Sequence, residues 1–220
     1  MTLGIRQHFA PRRVFARYFS RPRALNDYAT HVPVLMGLAR LRDIRSVLEF
    51  GCGNYSTLTF LNRAAFPNLV RLQSVENDVA WAESVYAKAK SDERWNLKIV
   101  QGDTAAAVAD LDLETFDLIL IDDSKTSAER AATIRAVANK RSQHGWIAIH
   151  DFEVEEYRQA AAGFTNVRRF RAYNPETGLV CNRAVSASPL KSLDRMLKDY
   201  SKNLQPDDVE GWATAFRQIL

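Results

Sequence analysis

Cysteine is scarce in this 220-residue chain: only Cys52 and Cys181 occur, far apart and in unlike surroundings. Two such thiols build neither a disulfide framework nor a thiolate zinc cluster, so both are expected as packed side chains within an apolar core. Long hydrophobic runs are also lacking, and none approaches the roughly 20 residues that span a bilayer. The N-terminus shows no compact apolar stretch with a small-residue cleavage site, so no secretory signal is read there and a cytoplasmic protein is expected. There is no internal repeat and no low-complexity tract. Acid is missing from one place in particular, since no Asp or Glu precedes Asp27.

What remains is ordinary for a globular protein, with 46% hydrophobic and 25% charged residues and a net charge of +4. That composition supports one sizeable core with appendages. The acid-free stretch, residues 1–25, carries Arg6, Arg12, Arg13, Arg17, Arg21 and Arg23 among Phe9, Phe15, Tyr18 and Phe19. It reads as a basic aromatic arm: a solvated arm or lid, a targeting peptide, or a contact for an anionic surface, with nucleic acid the less favoured partner. An α/β domain is expected over 26–188 and a helical extension over 189–220.

Within that domain the pattern alternates. A helix capped by Asn26 or Asp27 runs to Leu41, with Pro33 tolerated in its first turns. Strands are expected at Ser46–Phe50, Val70–Val75, Leu97–Val100, Phe116–Ile121 and Trp146–Ile149, the fourth being continuously apolar as in strands buried on both faces. Helices fall between them at Ser56–Ala65, Val79–Lys90, Asp103–Leu111 and Ala128–Lys140. After a short helix near Glu153–Ala162, strands at Asn166–Tyr173 and Leu179–Val185 flank the turn cluster Asn174-Pro175-Glu176-Thr177-Gly178, which predicts an antiparallel hairpin. Two amphipathic helices, 190–204 and 207–219, carry apolar stripes suited to core or homodimer contact.

The most informative segment is Glu49-Phe50-Gly51-Cys52-Gly53, where a strand breaks into a glycine turn that opens a helix. Gly51 can take backbone angles closed to other residues, and Gly53 lets the main chain approach a ligand. Glu49 repels a pyrophosphate and suits a cation. The segment resembles the acidic-x-Gly-x-Gly motif of class I S-adenosylmethionine-dependent methyltransferases. The resemblance extends over residues 46–185 and implies a Rossmann-like, doubly wound, mostly parallel seven-stranded sheet ending in the antiparallel hairpin. It also implies S-adenosylmethionine as cofactor, held by Glu49, Gly51, Gly53 and Ser56 at the loop. Glu76 would take the ribose hydroxyls, Asn77 or Trp81 would flank the adenine, and Gly102-Asp103 would read its edge. Asp103 reads equally as a plain helix N-cap, and Trp81 as an adenine flank or as core.

Asp122-Asp123-Ser124-Lys125 resembles the Ile-Asp-x-x-Lys stretch of metal-dependent small-molecule O-methyltransferases. That likeness implies a divalent metal such as magnesium on Asp122 and Asp151, Lys125 near the acceptor hydroxyl, and a small-molecule acceptor. Phe152 stands where an amide ligand is usual, and two carboxylates alone make a weak magnesium site. His150 offers a competing route as general base, and His31 could line the same mouth. Two further readings stay open: a nicotinamide-dependent oxidoreductase, against which Ser56 replaces the third glycine of the dinucleotide fingerprint, and a cofactor-binding or membrane-associated protein without turnover.

Overall fold

Short, continuously apolar strands set the centre of the sheet. The computed structural model describes residues 25–89, 92–123, 126–140 and 145–219, so the basic arm, except for Leu25, and Lys125 lie outside the described residues. The strands are β1 (Ser46–Phe50), β2 (Arg71–Glu76), β3 (Trp95–Ile99), β4 (Leu118–Ile121), β5 (Trp146–Ile149), β6 (Asn166–Phe170) and β7 (Thr177–Cys181). They form one seven-stranded sheet in the order β3-β2-β1-β4-β5-β7-β6. All pairings are parallel except those of β7, which runs antiparallel to both β5 and β6. The last strand in sequence thus inserts beside β5 and leaves β6 at the edge, the hairpin that the turn cluster predicted.

The helices are α1 (Val32–Leu41), α2 (Ser56–Leu61), α3 (Val79–Ala89), α4 (Thr104–Ala107), α5 (Ser127–Lys140), α6 (Glu155–Ala160), α7 (Ala187–Tyr200) and α8 (Val209–Ile219). Because strand side chains alternate, Leu118 and Leu120 pack on one face with Leu35 and Leu38 of α1, while Ile119 and Ile121 pack on the other with Ile134 and Val137 of α5. The stripes of α7 and α8 join the first core, where Leu193, Trp212 and Phe216 are fully buried. They close over α1 so tightly that a Cβ at Gly37 would lie 2.3 Å from Leu193 Cδ1. Cys52 and Cys181 are buried free thiols, as expected.

Several boundaries differ from expectation, each for a local reason. The helix expected from Asp27 is broken into a 3-10 turn, Asp27–Ala29, and α1, which starts after His31. Thr30 and His31 therefore sit at a joint instead of on a helix face. Helix α2 stops at Leu61 because Asn62 turns extended and its Oδ1 accepts the Ala64 amide at 2.8 Å. The expected helix from Asp103 divides into α4 and a 3-10 turn, Val108–Asp110. Among the described residues no helix is long and apolar enough to cross a membrane.

Candidate active site

The glycine turn forms because two neighbouring strand ends leave no room for a side chain. Gly51 has φ +84°, and a Cβ there would stand 2.4 Å from the Asp122 carbonyl oxygen. Its N–H donates to Val75 O at 2.9 Å, tying the turn to β2. Beside it opens a cavity of about 1260 Å³, outside the carboxyl ends of the parallel strands, where open α/β sheets bind ligands. Gly51, Gly53 and Ser56 line one wall, and Glu76, Asn77 and Gly102 another.

Glu76 is aimed by the backbone. Its Oε1 accepts the amides of Asn77 and Asp78 at 2.7 and 2.8 Å, and its Oε2 accepts the Cys52 amide at 3.1 Å. A carboxylate has about four acceptor positions, so with three amides bound there is room for one ligand hydroxyl. Asn77 Nδ2 donates to Gly102 O at 2.8 Å, joining the ends of β2 and β3. The Trp81 indole donates to Cys52 O at 2.6 Å, which holds the ring against the cavity while leaving it 42% exposed.

Two expected cofactor residues stand elsewhere. Glu49 is fully buried beneath the loop and is not on the cavity wall. Its Oε2 accepts from Thr57 and Ser74, each at 2.7 Å, while Oε1 makes no well-formed hydrogen bond, although the Ser56 hydroxyl is its neighbour. Burial pushes this carboxyl from its ordinary 4.5 up to about 7, outweighing the three hydroxyls. Direct contact with a ligand cation is therefore not what the fold offers; Glu49 supports the loop from below. Asp103 is likewise off the wall, an exposed N-cap whose Oδ1 accepts the Ala105 amide at 2.8 Å.

His31, Asp122 and Arg130 form the cavity floor, with His150 and Asp151 packed against them from behind. His150 Nδ1 lies 3.1 Å from Asp122 Oδ1, and its Nε2 lies 2.9 Å from Thr30 Oγ1. His31 packs edge-on against His150 with ring centroids 4.7 Å apart, and neither of its nitrogens has a hydrogen-bond partner. Arg130 donates from Nε to Asp123 O at 2.7 Å and from Nη1 to Asp151 Oδ2 at 2.7 Å, with Nη2 3.0 Å from Asp122 Oδ1. Asp151 presents its carboxylate from a left-handed backbone, φ 55°, which a residue with a Cβ seldom adopts.

The charges follow from this packing. Burial works against ionised Asp122, yet His150 and the Arg130 guanidinium outweigh it and hold the carboxyl at about 2. Burial disfavours protonated His150, but Asp122 and Asp151 raise it above the ordinary imidazole range. His31 is driven the other way, to about 3, by burial and by the neighbouring His150 charge, and so stays a neutral imidazole.

The chain matches the family model described as a methyltransferase domain over residues 48–152, the span from the glycine loop to the end of β5. Over that span the chain is similar to a methyltransferase domain. Solved structures agree on its fold. Human methyltransferase-like protein 13, in complex with SAH, is similar with a TM-score of 0.54 and 19% identity over 80% of this chain and 94% of that one. Podospora anserina PaMTH1, SAH-bound, gives 0.53 and 16% over 81% and 99%. The O-methyltransferase TomG of Streptomyces achromogenes, in complex with SAM, gives 0.51 and 16% over 78% and 95%. No curated protein matches the chain.

Within this methyltransferase fold the floor departs from the expected metal centre. The two carboxylates expected to hold magnesium, Asp122 and Asp151, are instead bridged by Arg130. A guanidinium fills the space between them, and a hard cation there would meet a fixed positive charge. The pair does not fit the ion. Phe152 is packed in the core instead of facing the floor. His150, expected as general base, stands behind the wall with both nitrogens engaged, and the imidazole that lines the cavity is His31. Arg130 escaped the sequence reading altogether: an arginine in the first turns of a helix looks solvated, and only its burial at 7% exposure marks it.

Proposed function

We propose that the protein is a methyltransferase that uses S-adenosylmethionine and transfers its methyl group to a hydroxyl oxygen of a small molecule. One juxtaposition carries the reading: a single cavity joins a glycine cradle and an aimed carboxylate, Glu76, to a floor of imidazole and carboxylate. The cofactor, when bound, supplies an electrophilic methyl on a sulfonium. Glu76 accepts one of its ribose hydroxyls through a charge-assisted hydrogen bond, Gly51 and Gly53 admit its amino-acid end, and the Trp81 ring offers a face for the adenine. Glu76, Asp78 and Glu129 on the cavity wall suit a cationic ligand and oppose the pyrophosphate of a dinucleotide.

Transfer then needs an acceptor placed in line with the methyl and a group that takes or masks its proton. The unpartnered nitrogens of neutral His31 can accept a hydrogen bond from the acceptor hydroxyl and orient its oxygen, masking the proton without taking it up. That TomG is an O-methyltransferase of the same fold supports oxygen as the acceptor atom. The test is transfer from methyl-labelled S-adenosylmethionine to separate panels of catechols, aliphatic alcohols and primary amines. Label in the hydroxyl panels supports the proposal, and label confined to the amines refutes the oxygen assignment.

A further inference from the structure

We propose that His31, His150 and Asp122 form a binding site for one borderline first-row divalent ion, of the zinc or cobalt kind, in the floor of the cavity. This deepens the reading of that floor given above, yet it rests on the geometry of the three side chains and its test does not require methyl transfer. One ligand atom from each residue can be chosen so that all three lie within 4.8 Å of one another. The His150 Nδ1 to Asp122 Oδ1 distance is 3.1 Å. Adjacent ligands on an ion with bonds of roughly 2.0–2.1 Å are about 3 Å apart, so an ion that displaces the Nδ1 proton to solvent finds this edge of the polyhedron at the right length.

The third ligand is marked by what it lacks. His31 is 1% exposed, lines the cavity, and both of its ring nitrogens are without a hydrogen-bond partner. A buried polar group is rarely left so, because its desolvation is uncompensated. Thr30 provides the outer support. Its Oγ1, which donates to the Asp27 carbonyl at 3.4 Å, lies 2.9 Å from His150 Nε2 and can accept the Nε2–H hydrogen bond, fixing the tautomer that leaves Nδ1 as the ligating atom. The joint before α1 therefore brings Thr30 and His31 together for one purpose.

The ligand set also selects the ion. Two imidazoles and one carboxylate suit zinc, cobalt or iron rather than magnesium. Arg130 stays on Asp122 and offsets its charge, which weakens a hard ion held by charge alone more than one held by imidazole nitrogen. Three protein ligands leave a position open, and His31 and Asp122 both face the cavity where an acceptor oxygen would arrive.

Calorimetric titration of chelator-treated full-length protein with zinc, cobalt and magnesium salts tests the site, with the visible spectrum of the cobalt form as a second readout. One zinc or cobalt ion per chain is expected, with low-symmetry cobalt bands and no comparable magnesium affinity. His31→Ala should abolish the bands, and Thr30→Val should weaken binding by roughly 10–100-fold, as loss of an outer-shell partner does. Adenosylmethionine binding, measured on the same variants, reports that they are folded and keeps failure of the ion site separate from failure of the cofactor reading. Absence of zinc and cobalt binding, binding unaltered by His31→Ala, or magnesium bound as tightly as zinc would each overturn the proposal.

Discussion

Replacing Glu49 by Gln isolates a buried ionisation that the fold imposes. The carboxyl is fully buried and raised from 4.5 to about 7. Between those values the folded chain keeps a proton that the unfolded chain has released. Its contribution to stability is thus fully present below pH 4.5, falls as pH rises towards 7, and is lost above that. A gap of about 2.5 in pKa, at roughly 1.4 kcal/mol each, amounts to about 3.5 kcal/mol, of which about 3 falls between pH 4.5 and 8. Gln keeps the shape and an acceptor oxygen for Thr57 and Ser74 but cannot ionise. Urea unfolding of both proteins from pH 4.5 to 8 should show the variant gaining about 3 kcal/mol on the native chain across the range. The absolute offset depends on where the new amide finds an acceptor; the slope does not. A difference that stays flat with pH would refute the reasoning.

Asp103→Ala should lower stability by about 1 kcal/mol through loss of the cap and leave adenosylmethionine affinity unchanged; a roughly tenfold loss in calorimetry would restore the adenine role. Gly51→Ala forces a Cβ into the Asp122 carbonyl from a left-handed backbone, so thermal melts should show a loss of at least about 2 kcal/mol together with lost cofactor binding. Arg130→Gln leaves Asp122 and Asp151 facing each other without their bridge. Because both carboxylates are partly exposed, a cost of about 1–3 kcal/mol is expected, and millimolar magnesium, inert towards the native protein, should raise the variant's Tm.

The strands were legible because parallel strands buried on both faces need continuous apolar residues, which Leu118–Ile121 and Trp146–Ile149 supply. The hairpin was legible from its turn chemistry, and the glycine loop from the demand of a sharp strand-to-helix turn. The floor was only half legible. Asp122, His150 and Asp151 could be placed at strand ends by their position after apolar runs. Their partners could not, since Arg130 looks like any helix-surface cation until the chain folds and closes it between two carboxylates. His31 was read as able to line the mouth, but Thr30 and the joint it shares with His31 were hidden for another reason: Asp27 to Leu41 reads as one helix, and the joint that turns His31 into the cavity is set by tertiary packing. Glu49 has the residue type of a cation ligand, but the hydroxyls of Thr57 and Ser74, which hold it under the loop, are brought to it only by the fold.

Calorimetric titration of the purified protein with S-adenosylmethionine, repeated on Glu76→Ala, tests the central claim most directly. One hydrogen bond from a ribose hydroxyl to Glu76, at about 1.5–3 kcal/mol, predicts that micromolar binding to the native chain weakens by roughly 10–150-fold in the variant. Binding of equal strength to both proteins, or no binding by the folded native chain, would contradict the account.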